Sequence, residues 1–170
     1  MNKMKTIRIE KVTLNIGAGK DQARLEKGVA LLRVIAGSTP IKTTTNKRIQ
    51  EWGLRPGLPI GCKITLRKIK AAKLLPNLLN AVDNRLNEKQ FDENGNIAFG
   101  IPEYIEISGV KYDPKIGIMG LQVCITLERP GYRIKKRKIL ARKIPARHKI
   151  SKQDAISFMT NSYNTKVVEE

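Results

Sequence analysis

Two places in this 170-residue chain carry side chains or backbone that could do chemistry on a ligand. Gly17-Ala18-Gly19 follows an alternating apolar stretch and precedes a helical one. Glycines there could let backbone amides approach a phosphate, or could form a plain tight turn. A dinucleotide fingerprint needs a further glycine at position 22, and the chain has Gln22. The second place is a cationic run of Arg133, Lys135, Lys136, Arg137, Lys138, Arg142, Lys143, Arg147 and Lys149, with no acidic residue between 131 and 150. Its chemistry is neutralisation of a polyanion.

Catalytic chemistry finds no such support. His148 is the only imidazole and lies between Arg147 and Lys149, with no carboxylate or nucleophile beside it. That setting suits a solvated side chain or one in contact with the polyanion rather than a general base. Asp92, Glu93 and Asp113 fall at turns, where turn chemistry accounts for them. Cys62 and Cys124 are far apart, each in an apolar run, and read as small core residues. They make neither a zinc ligand set nor a disulfide framework. Walker, GxSxG and HExxH motifs are absent. The reading is a protein that is not an enzyme, with no metal and no cofactor.

Charge points to the partner. The 33 Lys and Arg against 15 Asp and Glu leave a formal net charge of +18, more than solubility requires. Residues 1–70 carry 16 basic and 4 acidic side chains, and residues 71–130 carry 6 and 8. The cations therefore sit in the first part and in the late run, which implies two contact surfaces for nucleic acid. No apolar segment is long enough to cross a membrane and the N-terminus is unlike a signal peptide, so a cytoplasmic location is expected.

The elements that must position these groups are legible from periodicity. Ile7, Ile9, Val12, Leu14 and Ile16 alternate with polar residues, with a slip at Lys11 that suggests a bulge. Leu25, Val29, Leu32 and Ile35 predict a helix over 21–36 that stops at Gly37. A short strand is expected over 40–45, then a loop over 46–59. Ile60, Cys62, Ile64 and Leu66 form a clean strand. Leucines from 74 to 86 predict a helix over about 70–86, which Pro76 should kink or begin. Strands are expected over 97–101, 104–107 and 121–128. Ser151 caps a last helix of about three turns.

The fold expected is α+β in two layers: an antiparallel or mixed sheet backed by helices, with a basic C-terminal extension and a final short helix. One RNA-binding domain spans 1–131; the extension and helix of 132–170 pack on it. If the strands at 12–16 and 60–67 share a sheet, Thr13, Asn15, Lys63, Thr65 and Arg67 crowd its open face. Hydroxyl, amide and cationic groups suit phosphate and ribose contacts. With few aromatics among them, shape recognition is expected rather than base stacking.

Several of these segments resemble a known family. Val12-Thr13-Leu14-Asn15-Ile16-Gly17-Ala18-Gly19 is similar to the first strand and turn of the universal large-subunit ribosomal protein five family, the 5S rRNA-binding proteins. Pro59 through Arg67, Phe91-Asp92 with Gly95-Asn96, and Phe99-Gly100-Ile101 resemble further blocks of it. Glu128-Arg129-Pro130-Gly131-Tyr132 and His148 through Lys152 resemble its archaeal and eukaryotic branch. The resemblance implies a structural protein of the central protuberance. Its partners would be 5S rRNA, large-subunit rRNA, neighbouring ribosomal proteins and the P-site tRNA. By position it places 5S rRNA contacts on Asn15, Ser38 and Thr65; Ser38 stands where a glutamine is expected. Face and resemblance together give a 5S rRNA surface of Thr13, Asn15, Gly17, Gly19, Ser38, Lys63, Thr65 and Arg67. A tRNA-contacting loop maps to about 42–55, with Lys42, Lys47, Arg48 and Arg55. Further rRNA contacts are expected at Arg133, Lys135, Lys136, Arg137, Lys138, Arg142, Lys143 and Arg147.

Two further expectations and two rival readings complete the picture. Trp52 should pack at the base of its loop, with base stacking as the alternative. Like-charge repulsion should leave much of 131–149 disordered in the free protein. A free-standing RNA-binding or RNA-chaperone protein is the rival reading, separable by co-sedimentation with the large subunit. An RNA-modifying enzyme is the other, and it lacks a catalytic cluster.

Overall fold

The computed structural model describes residues 2–168. Strand β1 (Arg8–Gly17) lies between β3 (Pro59–Arg67) and β6 (Leu121–Glu128), which pair with it antiparallel. Strands β2 (Ile41–Thr44) and β5 (Ile97–Ile101) close the two edges, giving the order β2-β3-β1-β6-β5. The ladder between β1 and β6 shifts register between Ile9 and Lys11, which is the bulge expected from the slip in alternation.

Helices α1 (Gln22–Ala36) and α2 (Lys68–Asn80) pack on one face of this sheet. Asp21 starts α1 by accepting hydrogen bonds from the amides of Ala23 and Arg24, and Gly37 ends it in the left-handed conformation at φ 60°. Val12, Leu14, Ile16, Cys62, Ile64 and Leu66 point from the sheet into the core, opposite Leu25, Leu31, Leu32, Leu75, Leu78 and Leu79. Gly28 permits this approach. A Cβ there would lie 3.1 Å from Cys62 Sγ and 3.3 Å from Ile16 Cγ2. Gly61 is tighter still, because a Cβ would come within 2.8 Å of the Ile16 carbonyl oxygen.

Three expectations need correction. Helix α2 ends at Asn80, and the chain turns through Asp83 and Asn84, both at positive φ. Leu86 keeps its place in the core but belongs to β4 (Arg85–Asn87). That strand pairs in parallel with β7 (Lys166–Val168). Helical spacing of leucines cannot reveal such a turn, since a short strand can bury the next apolar residue equally well. Pro76 does not mark the start of α2; of its two expected roles that one falls, since it lies inside the helix on the exposed side. The expected strand at 104–107 is a 3₁₀ turn, Tyr104–Glu106. Tyr104 is fully buried, and its hydroxyl accepts a hydrogen bond from the Asp113 amide at 3.0 Å.

After β6 come a single helical turn, α3 (Arg133–Lys136), an irregular stretch, and α4 (Lys152–Tyr163). Ser151 and Asp154 form a capping box at the start of α4. Ile150, Ala155 and Met159 seat this end of the chain in the core. No helix among the described residues is long and apolar enough to cross a membrane.

Candidate RNA interface

The helices cover one face of the sheet and leave the other open. Register fixes what that open face presents. Asn15 lies between Lys63 on β3 and Gln122 on β6, and Thr13 lies between Thr65 and Cys124. Lys11 lies opposite Arg67 and beside Thr126. Thr13, Asn15, Lys63, Thr65 and Arg67 are therefore neighbours, as alternation implies. Lys11, Gln122 and Thr126 join them. Their strand positions point to this, but single-strand alternation cannot say which strands are adjacent. Ala98 and Gly100 on β5 keep the far edge low and exposed.

Cys124 corrects its assignment as a core residue. It is half-buried on the open face, whereas Cys62 is fully buried on the helix side; both are free thiols whose ionisation burial pushes upward. Ser38 is half-buried near the β3 edge, where the Lys70 ammonium donates to its hydroxyl at 3.2 Å.

The glycine turn does not leave a phosphate cradle. The amides of Ala18 and Gly19 both donate to the Ile60 carbonyl, at 2.9 and 3.0 Å. The first amides of α1 are already satisfied by Asp21. Gly17 and Gly19 are exposed, and a Cβ at either would meet nothing within 4 Å. Of the two readings the tight turn holds, and these residues offer surface rather than free donors.

The candidate tRNA loop is the long connection from β2 to β3. Lys47, Arg48 and Arg55 are exposed on it, while Lys42 belongs to β2 itself, opposite Cys62 and so on the helix side of the register. Inside the loop Ile49 and Leu54 form a bridge, and Leu54 is the buried anchor at 6% exposure. Trp52, expected at the base, is 64% exposed on the turn between them.

The basic run bends back to the end of the open face that carries the β1 bulge. There the Lys136 ammonium lies 2.9 Å from Glu10 and 2.8 Å from Glu128. Arg67 reaches Glu10 at 3.3 Å and Arg8 reaches Glu128 at 2.8 Å. Burial pushes Glu10 up, but hydrogen bonds and charge from Lys136, with Arg67 and Lys11, outweigh it and hold the carboxyl below its usual range. Lys136 and Arg67 are thus already neutralised. The remaining cations of the run, Arg133, Lys135, Lys138, Arg142, Lys143, Arg147 and Lys149, are exposed and carry no ion pair among the described residues. Arg137 is exposed too and donates to the Leu140 carbonyl at 2.8 Å.

Both ends of the run are tied down, while residues 137–145 between them form no helix or strand. Arg129 is buried and donates to the Lys149 carbonyl at 3.0 Å and to Asp154 at 2.9 Å. His148 is half-buried and structural rather than solvated. Its Nε2 lies 2.9 Å from the Pro130 carbonyl oxygen, and its ring meets the Tyr132 ring edge-on. No group of His, Cys, Asp and Glu among the described residues could hold a metal ion.

Two family models match the chain in succession. Residues 2–55 match the model described as Ribosomal protein L5, and residues 59–159 match the model of that ribosomal family's C-terminus. The chain belongs to the ribosomal protein L5 family. Among curated relatives, the large ribosomal subunit protein uL5 of Nanoarchaeum equitans is 46% identical over 166 residues, covering 97% of this chain and 98% of its own. The protein of that name from Sulfolobus acidocaldarius is 45% identical, covering 99% of this chain and 94% of its own. That of Methanobrevibacter smithii is 42% identical over the full length of both. These relatives are archaeal, in line with the branch suggested by the segments around Arg129 and His148. A ribosomal protein family of this kind has a structural task rather than a catalytic one.

Proposed function

We propose that the chain is a structural protein of the large ribosomal subunit that binds 5S rRNA through the open face of its sheet. The observation that carries this reading is the register Lys63–Asn15–Gln122 beside Thr65–Thr13, which sets a cation, amides and hydroxyls on one uncovered surface. Such groups hydrogen-bond phosphate oxygens and the 2′-hydroxyls of a wide RNA minor groove. The scarcity of aromatic side chains on these strands favours RNA shape over splayed bases. The unpaired cations of the basic run supply a second contact, to large-subunit rRNA, and so attach 5S rRNA within the central protuberance. Lys47, Arg48 and Arg55 on the β2–β3 loop reach toward the P-site tRNA, with exposed Trp52 available to stack. The protein's place is in the cytoplasmic ribosome, beside neighbouring large-subunit proteins.

The test is a pull-down from cell extract with sequencing of the bound RNA, repeated with Asn15→Ala and Thr65→Ala. The expected result is enrichment of 5S rRNA and a loss of about 1 kcal/mol of affinity per lost hydrogen bond. Enrichment of other RNA, or unchanged affinity in both variants, would overturn the reading.

A further inference from the structure

A pocket of about 420 Å³ opens in the seam where the basic run meets the bulged end of the sheet. Its floor is apolar: Leu127, Ile144 and Ile150 are each buried to 91% or more, and Tyr132 adds an aromatic wall. That wall is held in place. The Tyr132 hydroxyl donates to the His148 carbonyl at 3.3 Å, and the His148 ring abuts the Tyr132 ring. Around the floor stand Lys135, Lys143 and Lys149, which carry no ion pair among the described residues. Asn94 and Asn96 turn their amide nitrogens to Asp92, at 3.5 and 3.1 Å, which leaves their oxygens as acceptors; Thr126 and the Glu10–Lys136 ion pair complete the lining.

We propose that this seam pocket takes one unpaired nucleotide of RNA, its base against Tyr132, Ile144 and Ile150 and its phosphate on Lys143 and Lys149. The inference rests on the RNA-binding reading and adds a single-strand site to a protein whose sheet face suits duplex shape. Three unneutralised ammonium groups around one opening repel one another and favour an anion. A simple anion site needs no apolar floor, and an apolar ligand needs no cations. A nucleoside phosphate has both parts, and the volume is of the size that small-ligand sites use. Lys136 lines the same pocket and points the contrast, because Glu10 and Glu128 already occupy it and the pair adds no net charge for a phosphate.

The experiment titrates the full chain, at salt high enough to screen loose contacts, with nucleoside 5′-monophosphates, inorganic phosphate, an unpaired RNA tetranucleotide and an RNA hairpin duplex. Binding is read from the methyl resonances of Ile144 and Ile150 and the ring resonances of Tyr132. Monophosphate and tetranucleotide are expected to shift them, phosphate to bind at least about tenfold more weakly, and the duplex to leave them in place. The double variant Lys143→Gln, Lys149→Gln changes two exposed side chains and should melt as the parent does, while tetranucleotide affinity falls about tenfold. Phosphate binding as tightly as the monophosphate would overturn the proposal, as would resonances that stay still or an affinity the double variant does not change. Binding of 5S rRNA measured alongside separates the two readings: if it persists while the pocket is silent, only the pocket proposal falls.

Discussion

The two ends of the open sheet face use the same strands and similar side chains to opposite effect. At the end beside the β2–β3 loop, Lys63 stands exposed between residues that carry no charge, Asn15 and the apolar Ile41. At the bulged end Arg67 and Lys136 have equal formal charge, yet Glu10 and Glu128 hold them, and the basic run folds over them. A paired cation has little left to offer a phosphate, since engaging one means leaving a half-buried carboxylate unpaired. A count of lysines and arginines therefore overstates the RNA surface. Which cations bind and which hold the fold together is a matter of where the few acidic residues sit.

The strongest way to break this contrast is to delete residues 133–143. The deletion removes seven cations, of which Lys136 is already neutralised. If half of the other six engage phosphate, the slope of log affinity against log salt should flatten by about 2 to 3 units. A salt titration with rRNA measures it, and an unchanged slope would make the run a solvated strap. Next in size is Arg129→Ala. It removes the buried guanidinium that joins Lys149 and Asp154, and urea denaturation should show a loss of about 1.5 to 3 kcal/mol. A loss near zero would mean that the extension is not held through Arg129.

Lys63→Gln and Lys136→Gln set the two ends directly against each other. The first should flatten the salt slope by about 0.7 to 0.9 and leave stability alone; the second should leave the slope alone and cost stability. Equal effects on the slope would erase the distinction between the ends. The smallest effect concerns acid. Burial raises Asp154, but hydrogen bonds from Ser151 and the charge of Arg129 outweigh it and lower the carboxyl; Glu10 is lowered as well. Groups depressed in the folded state add stability that is complete above their unfolded pKa values, about 4, and is lost as pH falls through the folded ones. Stability should therefore decline below about pH 4, and Glu10→Gln should make that decline shallower. An equally steep acid limb in Glu10→Gln would remove Glu10 from the account.

Much of the fold could be read in the chain because its signals are local. The Asp21 and Ser151 caps, the Gly37 stop and the alternation of 60–67 and 121–128 each act within a few residues, and the elements formed where those signals lay. Errors came where a local signal had two solutions. Leu86 could be buried by a helix or by a short strand, and the turn at Asp83–Asn84 chose the strand. Tyr104 could be buried by a strand or by a 3₁₀ turn. The glycine turn at 17–19 could cradle a phosphate or close on itself, and the distant Ile60 carbonyl decided that by taking both amides.

By itself, then, the sequence determined the family, the α+β layering and the outward set Thr13, Asn15, Lys63, Thr65 and Arg67. A strand's period of two assigns faces without reference to its partners. Only the tertiary structure decided that β6 would carry Gln122 and Thr126 to the same face, and that Arg67 and Lys136 would be spent on Glu10 and Glu128. It also decided that His148 would become a wall support, and that Tyr132, Ile144 and three free lysines would gather around one pocket. These relations join residues far apart in the chain. They depend on strand order and on the path of a run with no period of its own, and neither is written in any local pattern.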